Sequence, residues 1–584
     1  PGYGQPNVKY IYPALVGGVV AAPFKLEMQA WDETATPAIY RSAWTIYDGL
    51  GRALQVQGPA ETSGQLILAD TKYDAMGQTL YSGLPRQITG TGGTYYAPTW
   101  TSVPHTTSAY DALGRLVTTT VADNTTATLS YNGLQTSLID QNGHKKLQEV
   151  DAFGRLVKVE EYTGTDSMTS LYATTDYGYD ERDLLKTVTD ELNNVTNITY
   201  DGWGRKTEMT DPDMGNWRYR YDALSNLTAQ IDARRKAVNF YYDELNRLRG
   251  KTYNAGPVNA DTYQPPADPG YSGYTLKYYY DSTANGNEGI GRRTSTSDAN
   301  STTSWTYNTL GQVADTTWLI GGALTYKTCS TYDAFGRLRT QRIPSTSNCT
   351  GELLTYNYNA TGALESVSGA ANYITNIDYA ASGQVNETYL GNGIVSQSCY
   401  NATNLRLAQI RAYPGSLTSC VNANPASTRF SLSYQQYDNV GNLKQVFDAT
   451  RNETISYNYD DLDRLLSVTG AYSQNFGYNV IGNLTNKAGV TLNYPASGPS
   501  SARPHAVSSL STGETYQYDA NGNMTQRVEG GLTYTQNFDT ENRMTSVVVS
   551  GQTTQFVYDP DGILLAKAKP DGSGTLYLGG LYEV

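Results

Sequence analysis

The stretch STYDAFGRLRTQ, residues 330–341, decides the fold of this chain, because close copies of it recur along the chain. VDAFGRLV stands at 150–157 and YDALGRLV at 110–117. Aligning every such step gives about 21 units across residues 41–584, and many successive units are 19 to 22 residues apart. A catalytic motif is normally used once, whereas self-similarity at a fixed period predicts a repeat architecture.

Each Asp-x-x-Gly tetrad in these units predicts a tight turn. An Asp at the first position of a type I turn accepts backbone N–H groups from the residues after it, and a Gly three residues later adopts the left-handed conformation. Where Gly is replaced, the substitutes are mostly Asn or Asp, such as Asn246, Asn404 and Asp463, which tolerate positive φ best. We therefore predict a structural turn role, with no chemistry, for Asp48, Gly51, Asp111, Gly114, Asp151, Gly154, Asp201, Gly204, Asp333, Gly336, Asp438, Gly441, Asp519, Gly522, Asp559 and Gly562.

The residues on either side of the tetrad predict strands. Tyr recurs with a period of two before the turn, as in YNYDDLD at 457–463, and an apolar residue such as Leu338 follows it. Residues two apart share one face of a strand, so we expect rows of Tyr that pack in cross-strand ladders. The chain has 50 Tyr and 56 Gly and lacks long windows with helical periodicity. The prediction is an all-β fold of tandem hairpins in one long antiparallel sheet, which must curl because it is too wide to stay flat.

Charge and cysteine spacing limit the partners and the compartment. The net charge of -13 argues against nucleic acid, and no apolar run reaches the ~18 residues of a membrane span. The pairs Cys329 with Cys349 and Cys399 with Cys420 are each about one repeat apart, so the partners could lie on adjacent strands. We interpret them as candidate disulfides of an oxidising, extracellular setting, with four buried free thiols as the alternative.

No constellation of residues predicts catalysis, a cofactor or a metal ion. The three His residues are far apart in sequence and no Cys-x-x-Cys pair exists. The segments at 211–216, 519–523 and 559–562 resemble calcium loops but lack the distal Glu, so turn chemistry suffices for them. The Tyr rows could stack on sugars, although packing between strands is the interpretation we favour.

The units Y-D-x-x-G-R-L, YDNVGNL and FDTENRM resemble the YD repeats of the Rhs/YD-repeat family. That family includes shell components of insecticidal toxin complexes and the extracellular part of teneurins. The resemblance implies a long sheet that spirals into a hollow shell or tube, which in bacterial members commonly encloses a C-terminal toxin. The family's histidine-containing core segment and self-cleavage aspartate match no position here, so no catalytic residue is carried over.

The resemblance leaves two functions open. The first is a non-enzymatic, secreted or surface-displayed shell that encloses and protects a C-terminal polypeptide absent from this chain. The second is an extracellular filamentous or adhesive scaffold. The expected partners are an enclosed polypeptide or neighbouring copies of the chain, with cell-surface glycans or proteins as further candidates. Residues 1–40 match no unit and are predicted to be a flanking segment or plug, followed by the repeat shell at 41–584.

Overall fold

The computed structural model describes residues 8–13, 22–32, 39–165, 169–346, 348–415, 420 and 428–584. Nearly all regular structure in these residues is β, and the two helices, α1 at Gly270–Gly273 and a 3-10 turn at Ala284–Gly286, are short. The first twenty-five strands are β1 Val8–Ile11, β2 Phe24–Asp32, β3 Ile39–Tyr47, β4 Ala53–Pro59, β5 Gln65–Tyr73, β6 Thr79–Gly83, β7 Arg86–Thr89, β8 His105–Tyr110, β9 Leu116–Thr120, β10 Thr126–Asn132, β11 Gln135–Ile139, β12 Lys145–Val150, β13 Leu156–Thr163, β14 Ser170–Tyr179, β15 Leu185–Thr189, β16 Val195–Tyr200, β17 Lys206–Asp211, β18 Gly215–Tyr221, β19 Leu227–Ile231, β20 Ala237–Tyr242, β21 Leu248–Asn254, β22 Leu276–Tyr280, β23 Arg293–Ser297, β24 Ser301–Tyr307 and β25 Val313–Ile320. The remaining strands are β26 Leu324–Tyr332, β27 Leu338–Arg342, β28 Leu353–Tyr358, β29 Leu364–Ser368, β30 Asn372–Tyr379, β31 Val385–Leu390, β32 Ile394–Tyr400, β33 Leu407–Pro414, β34 Phe430–Tyr437, β35 Leu443–Asp448, β36 Glu453–Tyr459, β37 Leu465–Gly470, β38 Gln474–Tyr478, β39 Leu484–Lys487, β40 Val490–Asn493, β41 Ser509–Leu510, β42 Thr515–Tyr518, β43 Met524–Glu529, β44 Leu532–Phe538, β45 Met544–Val549, β46 Gln552–Tyr558, β47 Leu564–Ala568, β48 Gly574–Leu578 and β49 Tyr582–Glu583.

These strands form one 49-stranded sheet in which almost every strand pairs, antiparallel, with its neighbours in sequence. The departure is at β5, whose first half pairs with β7 and whose second half pairs with β6. Strand β6 then pairs with β8, so β7 is a short branch beside the continuous sheet. The prediction of an all-β fold built as one long antiparallel sheet is confirmed.

The repeating turn bends the sheet at regular intervals. At the hairpin of β26 and β27, the register shifts between Thr331 and Tyr332, just before the turn at Asp333. The same shift occurs between Asn458 and Tyr459, before the turn at Asp460. A type I turn followed by a left-handed residue is joined to the ladder through such a bulge, which adds local twist.

The accumulated twist winds the sheet into an open spiral. Residues 268 to 318 positions apart in sequence come into hydrogen-bond contact, as with Arg293 and Asp561 or Glu61 and Tyr379. We call residues 39–320 the first winding and residues 324–583 the second winding. The contact between them, termed the seam, joins one edge of the first winding to the opposite edge of the second.

Loops from the wide steps of the repeat cover parts of the sheet. The loop at 90–104 lies over β4, where Gln55 and Gln57 donate side-chain hydrogen bonds to the carbonyl oxygens of Tyr96 and Thr94, at 2.8 and 2.6 Å. Both glutamines are almost fully buried. Apolar clusters are small by comparison, for example Ala229, Ile231 and Ala237. Hydrogen-bonded polar side chains therefore make up much of the buried interior.

Strands β1 and β2 fall within the segment 1–40, and β2 pairs with β3 along its whole length. Residues 1–7, 14–21 and 33–38 of that segment lie outside the described residues. Neither helix of the described residues has the length and apolar character needed to cross a bilayer.

Candidate functional site: the turn edge and the seam

The repeating motif is a turn of five residues. The side chain of its first residue accepts hydrogen bonds both from backbone N–H groups that follow it and from the side chain of the fifth residue. Oδ1 of Asp333 accepts hydrogen bonds from the backbone N–H groups of Phe335 and Arg337, at 3.0 and 2.9 Å, while Oδ2 accepts one from Nε of Arg337 at 2.7 Å. The N–H of Gly336 donates to the carbonyl oxygen of Asp333, and Gly336 has φ of 80°. Both carboxylate oxygens of Asp333 are thus used within its own turn.

The other predicted turn residues have corresponding geometry. Each aspartate of the set accepts two backbone N–H groups from the residues that follow it, and each glycine has φ between 78° and 111°. The aspartates are Asp48, Asp111, Asp151, Asp201, Asp438, Asp519 and Asp559. The glycines are Gly51, Gly114, Gly154, Gly204, Gly441, Gly522 and Gly562.

Hydrogen bonding also sets the ionisation of these carboxyl groups. The backbone N–H of Arg52 lowers the pKa of Asp48, and the Arg52 guanidinium lowers it further. Asp111 has a lowered pKa through the same bonds from Arg115. At Asp559 the fifth residue is Ile563, which offers no side-chain donor, and burial raises the pKa of this carboxyl group. Asp559 therefore carries a burial cost that Asp48 and Asp111, which are less deeply buried and each bonded to an arginine, do not.

One left-handed position differs from the sequence expectation. The residue with positive φ in the turn that begins at Asn401 is Leu405, with φ of 58°, and not Asn404. The N–H of Leu405 bonds to the carbonyl oxygen of Asn401, so this turn contains one more residue than the tetrad. Asn404 instead donates its side-chain N–H to Oδ2 of Asp123 at 3.1 Å, across the seam. The assignment of Asn404 to the left-handed position was wrong because spacing alone cannot detect this extra residue.

The tyrosine that precedes each turn forms a bond that sequence reasoning missed. Tyr358 donates its hydroxyl to the carbonyl oxygen of Leu338 at 2.7 Å, and Leu338 is the sixth residue of the preceding motif. Burial raises the pKa of Tyr358, so the phenol remains a donor. The same bond to the preceding unit is made by Tyr73, Tyr110, Tyr179, Tyr200, Tyr221, Tyr242, Tyr280, Tyr332, Tyr379, Tyr400, Tyr437, Tyr459, Tyr478 and Tyr558.

The fifth residue of the motif reaches forward to the next unit. The guanidinium of Arg337 lies 4.2 Å from the ring centroid of Tyr358 and donates to the carbonyl oxygen of Gly362 at 3.3 Å. Where the next left-handed residue is not glycine, its side chain accepts the bond: Oδ1 of Asp463 accepts from Asn442 at 2.8 Å, and Oδ1 of Asn542 accepts from Asn523 at 2.9 Å. The signal in the sequence was the regular Arg or Asn at the fifth position of the motif.

A second set of turns lies on the other edge of the sheet. Asp140 accepts the N–H groups of Asn142 and His144, at 2.8 and 2.9 Å, and Asp232 accepts that of Lys236 at 2.8 Å. These turns lack the preceding Tyr, and for that reason the alignment of YD steps did not include them. They form the edge of the first winding that contacts the second winding.

The seam contains polar contacts between YD turns of the second winding and either turns or strand residues of the first winding. The side chain of Asn521 donates to Oδ2 of Asp232 at 2.7 Å, and Lys251 donates to Glu541 at 2.6 Å. Arg293 binds Asp561 with two hydrogen bonds of 2.7 and 2.8 Å. Polar contacts of this kind repeat from the Glu61 turn to β23, so the two windings are joined along most of the first winding.

Two of the three histidines lie in the seam beside aspartates. His505 Nδ1 is 2.6 Å from Oδ2 of Asp213, and His144 Nδ1 is 3.5 Å from Oδ2 of Asp140. Oδ1 of Asp463, from the second winding, is 4.0 Å from His144 Nδ1, and burial raises the pKa of Asp463. Among the described residues, Asp140, His144 and Asp463 form one of two clusters whose ligand atoms are close enough for a metal ion; the other comprises Asp315 and a disulfide.

The four cysteines form two disulfides, Cys329 with Cys349 and Cys399 with Cys420, with Cα–Cα separations of 5.8 and 5.7 Å. In each pair the first cysteine lies in a strand, β26 or β32, and its partner lies in a loop. Adjacent strands, which the spacing suggested for the partners, are therefore not what the bonds connect.

The fold and the repeated turns define the class of protein. It is a β-hairpin repeat protein wound into an open spiral, in which hydrogen bonds link each unit to the next. The model of the RHS Repeat family matches residues 179–213, which contain two of the YD turns. The structure of TcdB2-TccC3 superposes with a TM-score of 0.80 at 16% identity, covering 98% of this chain and 33% of that one. A Photorhabdus luminescens Tc holotoxin pore carrying the TccC3-D651A mutation gives 0.74 at 16% identity, covering 95% and 32%.

These findings confirm the resemblance to the Rhs/YD-repeat family, and the structural matches establish the shared fold. The chain spans about one third of the length of those solved structures. A comparison with curated protein sequences finds no match.

Proposed function

We propose that this chain is a non-enzymatic part of a secreted or surface-displayed YD-repeat shell that encloses and protects a polypeptide. The observation that carries the proposal is the seam, where successive windings are joined by direct side-chain bonds such as that between Asn521 and Asp232. A wall intended to retain a polypeptide must be continuous both along the sheet and between its windings. By the family resemblance, we propose a C-terminal toxin as the enclosed polypeptide.

The dimensions of one winding support this role. Contacting residues are about 290 positions apart, as with Lys251 and Glu541. About 25 strands at a spacing of ~4.8 Å give a circumference of about 120 Å and a diameter of about 40 Å. Side chains on the inner face would reduce the free width to about 30 Å, which accommodates an unfolded or partly folded chain.

The hydrogen bonds within the repeated turns support a structural role for the recurrent aspartates. The carboxylate of Asp333 is fully occupied by its own turn and by Arg337, so it is not available as a general base or nucleophile. We propose the same role for the whole set of turn aspartates and glycines. The two disulfides support an oxidising compartment, in agreement with secretion or surface display.

The test is protease protection of the natural gene product, purified intact from its source. We expect a polypeptide additional to the 63.8 kDa of this chain, resistant to protease in the native particle and digested after the shell is opened with denaturant. A natural product near 63.8 kDa, or additional polypeptide digested at the same rate before and after opening, would contradict the proposal.

A second candidate, an extracellular filament or adhesive scaffold, is favoured by the YD turns of the first winding, which lie on the edge opposite the seam. The third residue of its turns is a large, exposed apolar side chain, 79% exposed at Leu113 and 86% at Trp203. A row of exposed apolar residues marks an interaction surface. If that surface binds the opposite end of another copy, the contact does not close and gives a filament. Electron microscopy of the purified natural product distinguishes the two: polymers favour the scaffold, and discrete particles with internal density favour the shell.

A further inference from the structure

The seam contains a cluster whose chemistry is not explained by turn geometry. His144 belongs to a turn of the first winding, and Asp461 and Asp463 belong to a turn of the second winding. The imidazole lies among three carboxylates: Nδ1 is 3.5 Å from Asp140 Oδ2 and 4.0 Å from Asp463 Oδ1, and Nε2 is 3.6 Å from Asp461 Oδ1. The three aspartates would repel one another unless a cation lies between them.

The buried nitrogen of His144 is the second observation. Nδ1 is inaccessible to solvent and makes no hydrogen bond in the described structure. Nε2 is 3.6 Å from Asp461 Oδ1, which is beyond hydrogen-bond distance, and a short shift of that carboxylate would let it accept Nε2–H and fix the tautomer protonated on Nε2. Nδ1 then has two carboxylate oxygens within 4.0 Å and no hydrogen-bond donor, an arrangement that is costly when buried. A metal ion bound to Nδ1 would satisfy the nitrogen and both oxygens together.

The remaining atoms of these carboxylates are already held in place. Oδ1 of Asp140 accepts the N–H groups of Asn142 and His144, which leaves Oδ2 directed to the cluster. Asp463 Oδ1 also accepts from Asn442 at 2.8 Å, and Asp461 Oδ2 accepts the N–H of Gly164 at 2.7 Å. These bonds restrict the carboxylates before a metal arrives, while the ligand atoms must still move closer together to bind it. A carboxylate near the other imidazole nitrogen is the usual companion of a metal-bound histidine.

We propose that Asp140, His144 and Asp463 bind a divalent transition-metal ion that fastens the first winding to the second, with Asp461 accepting the Nε2–H of His144. The three candidate ligand atoms lie within 4.8 Å of one another. Zn–N and Zn–O bonds of about 2.0–2.2 Å require ligand atoms about 3.3–3.5 Å apart, so small side-chain rotations complete the site. Imidazole and carboxylate together suit Zn²⁺, and water would fill the fourth position. The inference does not depend on what the shell encloses.

The experiment titrates ZnCl₂ into the full chain after treatment with EDTA and follows heat and melting temperature. We expect one Zn²⁺ per chain and a rise in melting temperature on binding. Asp463→Asn keeps the acceptor for Asn442 and tolerates positive φ, so it folds normally and weakens binding at least tenfold; His144→Gln does the same. His505→Gln is the matched control, because His505 is the other seam histidine and its Nδ1 already bonds to Asp213.

Three results would overturn the proposal. These are no stoichiometric Zn²⁺ binding by the unmodified chain, binding unchanged in both His144→Gln and Asp463→Asn, and binding lost equally in His505→Gln. Stabilisation of the metal-free chain by acid alone, abolished by His144→Gln and without any response to Zn²⁺, would identify a protonated imidazole in place of a metal.

Discussion

The two windings use the same turn in opposite surroundings. In the first winding the third residue of the YD turn is large, apolar and exposed, as at Leu50, Met76, Leu113, Phe153, Trp203, Leu224, Leu245 and Leu310. In the second winding three of the equivalent residues, Asn521, Glu541 and Asp561, bond to the first winding across the seam, whereas Val440, Leu462 and Ile481 are apolar and half-buried. The first, fourth and fifth residues of the motif have the same roles in the turn in both windings.

This difference distinguishes the residues that the turn itself requires from the residues that depend on where the turn lies in the molecule. The turn needs an acceptor at the first position and a left-handed residue at the fourth, wherever it lies. The third residue contributes its backbone N–H to the turn, as Phe335 does, so the chemistry of its side chain can follow the surface that it meets. On the seam edge of the second winding this side chain is polar and bonded, as at Asn521, or apolar and half-buried, as at Leu462 and Ile481, whereas in the first winding it is mostly apolar and exposed.

The largest effect is expected at the third position of a seam turn. Asn521 is 8% exposed and donates to Asp232 and Asn542. Asn521→Leu, which has a similar volume, should lower the free energy of unfolding by about 3 kcal/mol, because buried polar partners lose their bonds. Trp203→Ser, at the equivalent position of the free edge, should change it by less than about 0.5 kcal/mol. Urea denaturation checks both, and equal losses would show that the two edges do not differ.

At the fourth position of the motif, the effect of a substitution on stability should depend on whether the new residue tolerates positive φ, and not on the edge at which the turn lies. Gly336 has φ of 80°, and an added Cβ would lie 3.1 Å from Nε2 of Gln312. Gly336→Val should cost about 2 kcal/mol, because a β-branched residue is severely strained at positive φ. Gly336→Asn should cost less than about 1 kcal/mol, since Asn tolerates this conformation. The melting temperatures of the two variants test the assignment, and equal damage would contradict it.

The sequence was sufficient for the unit and the sheet, but not for the contacts between units. The period and the Asp-x-x-Gly tetrad depend on local backbone geometry, which is why they predicted the hairpins. Tyr358 bonds to Leu338 and not to a neighbouring Tyr, because the bulge before the turn shifts its register. The seam could not be derived, because the pairing of Asp232 with Asn521 depends on the length of a whole winding. The proximity of His144 to Asp463 could not be derived for the same reason.

The tyrosine bond should be equally important in both windings, which tests whether the units are equivalent. Tyr179 donates to the carbonyl oxygen of Leu156 in the first winding, and Tyr459 donates to that of Leu443 in the second, each at 2.8 Å. Tyr179→Phe and Tyr459→Phe should each lower the free energy of unfolding by about 1 kcal/mol, since only the hydroxyl is removed. Urea midpoints of the two variants provide the measurement. A loss at one site without the other would mean that the bond depends on the seam.

The smallest effect is the pH dependence of individual turn carboxyl groups, with opposite signs for Asp111 and Asp559. Because the Asp111 pKa is lowered in the fold, its carboxylate adds stability above the unfolded pKa of about 3.9, and this is lost as the pH falls through the folded pKa. Asp559 has a raised pKa, so its charge lowers stability at neutral pH, and protonation relieves this as the pH falls.

At pH 7, Asp111→Asn should therefore be less stable than the unmodified chain, and Asp559→Asn at least as stable. Both differences should shrink in acid, as followed by urea denaturation from pH 7 to pH 3. A loss of stability at pH 7 in Asp559→Asn equal to that in Asp111→Asn would mean that the charge of Asp559 is stabilised in the fold and not penalised by burial.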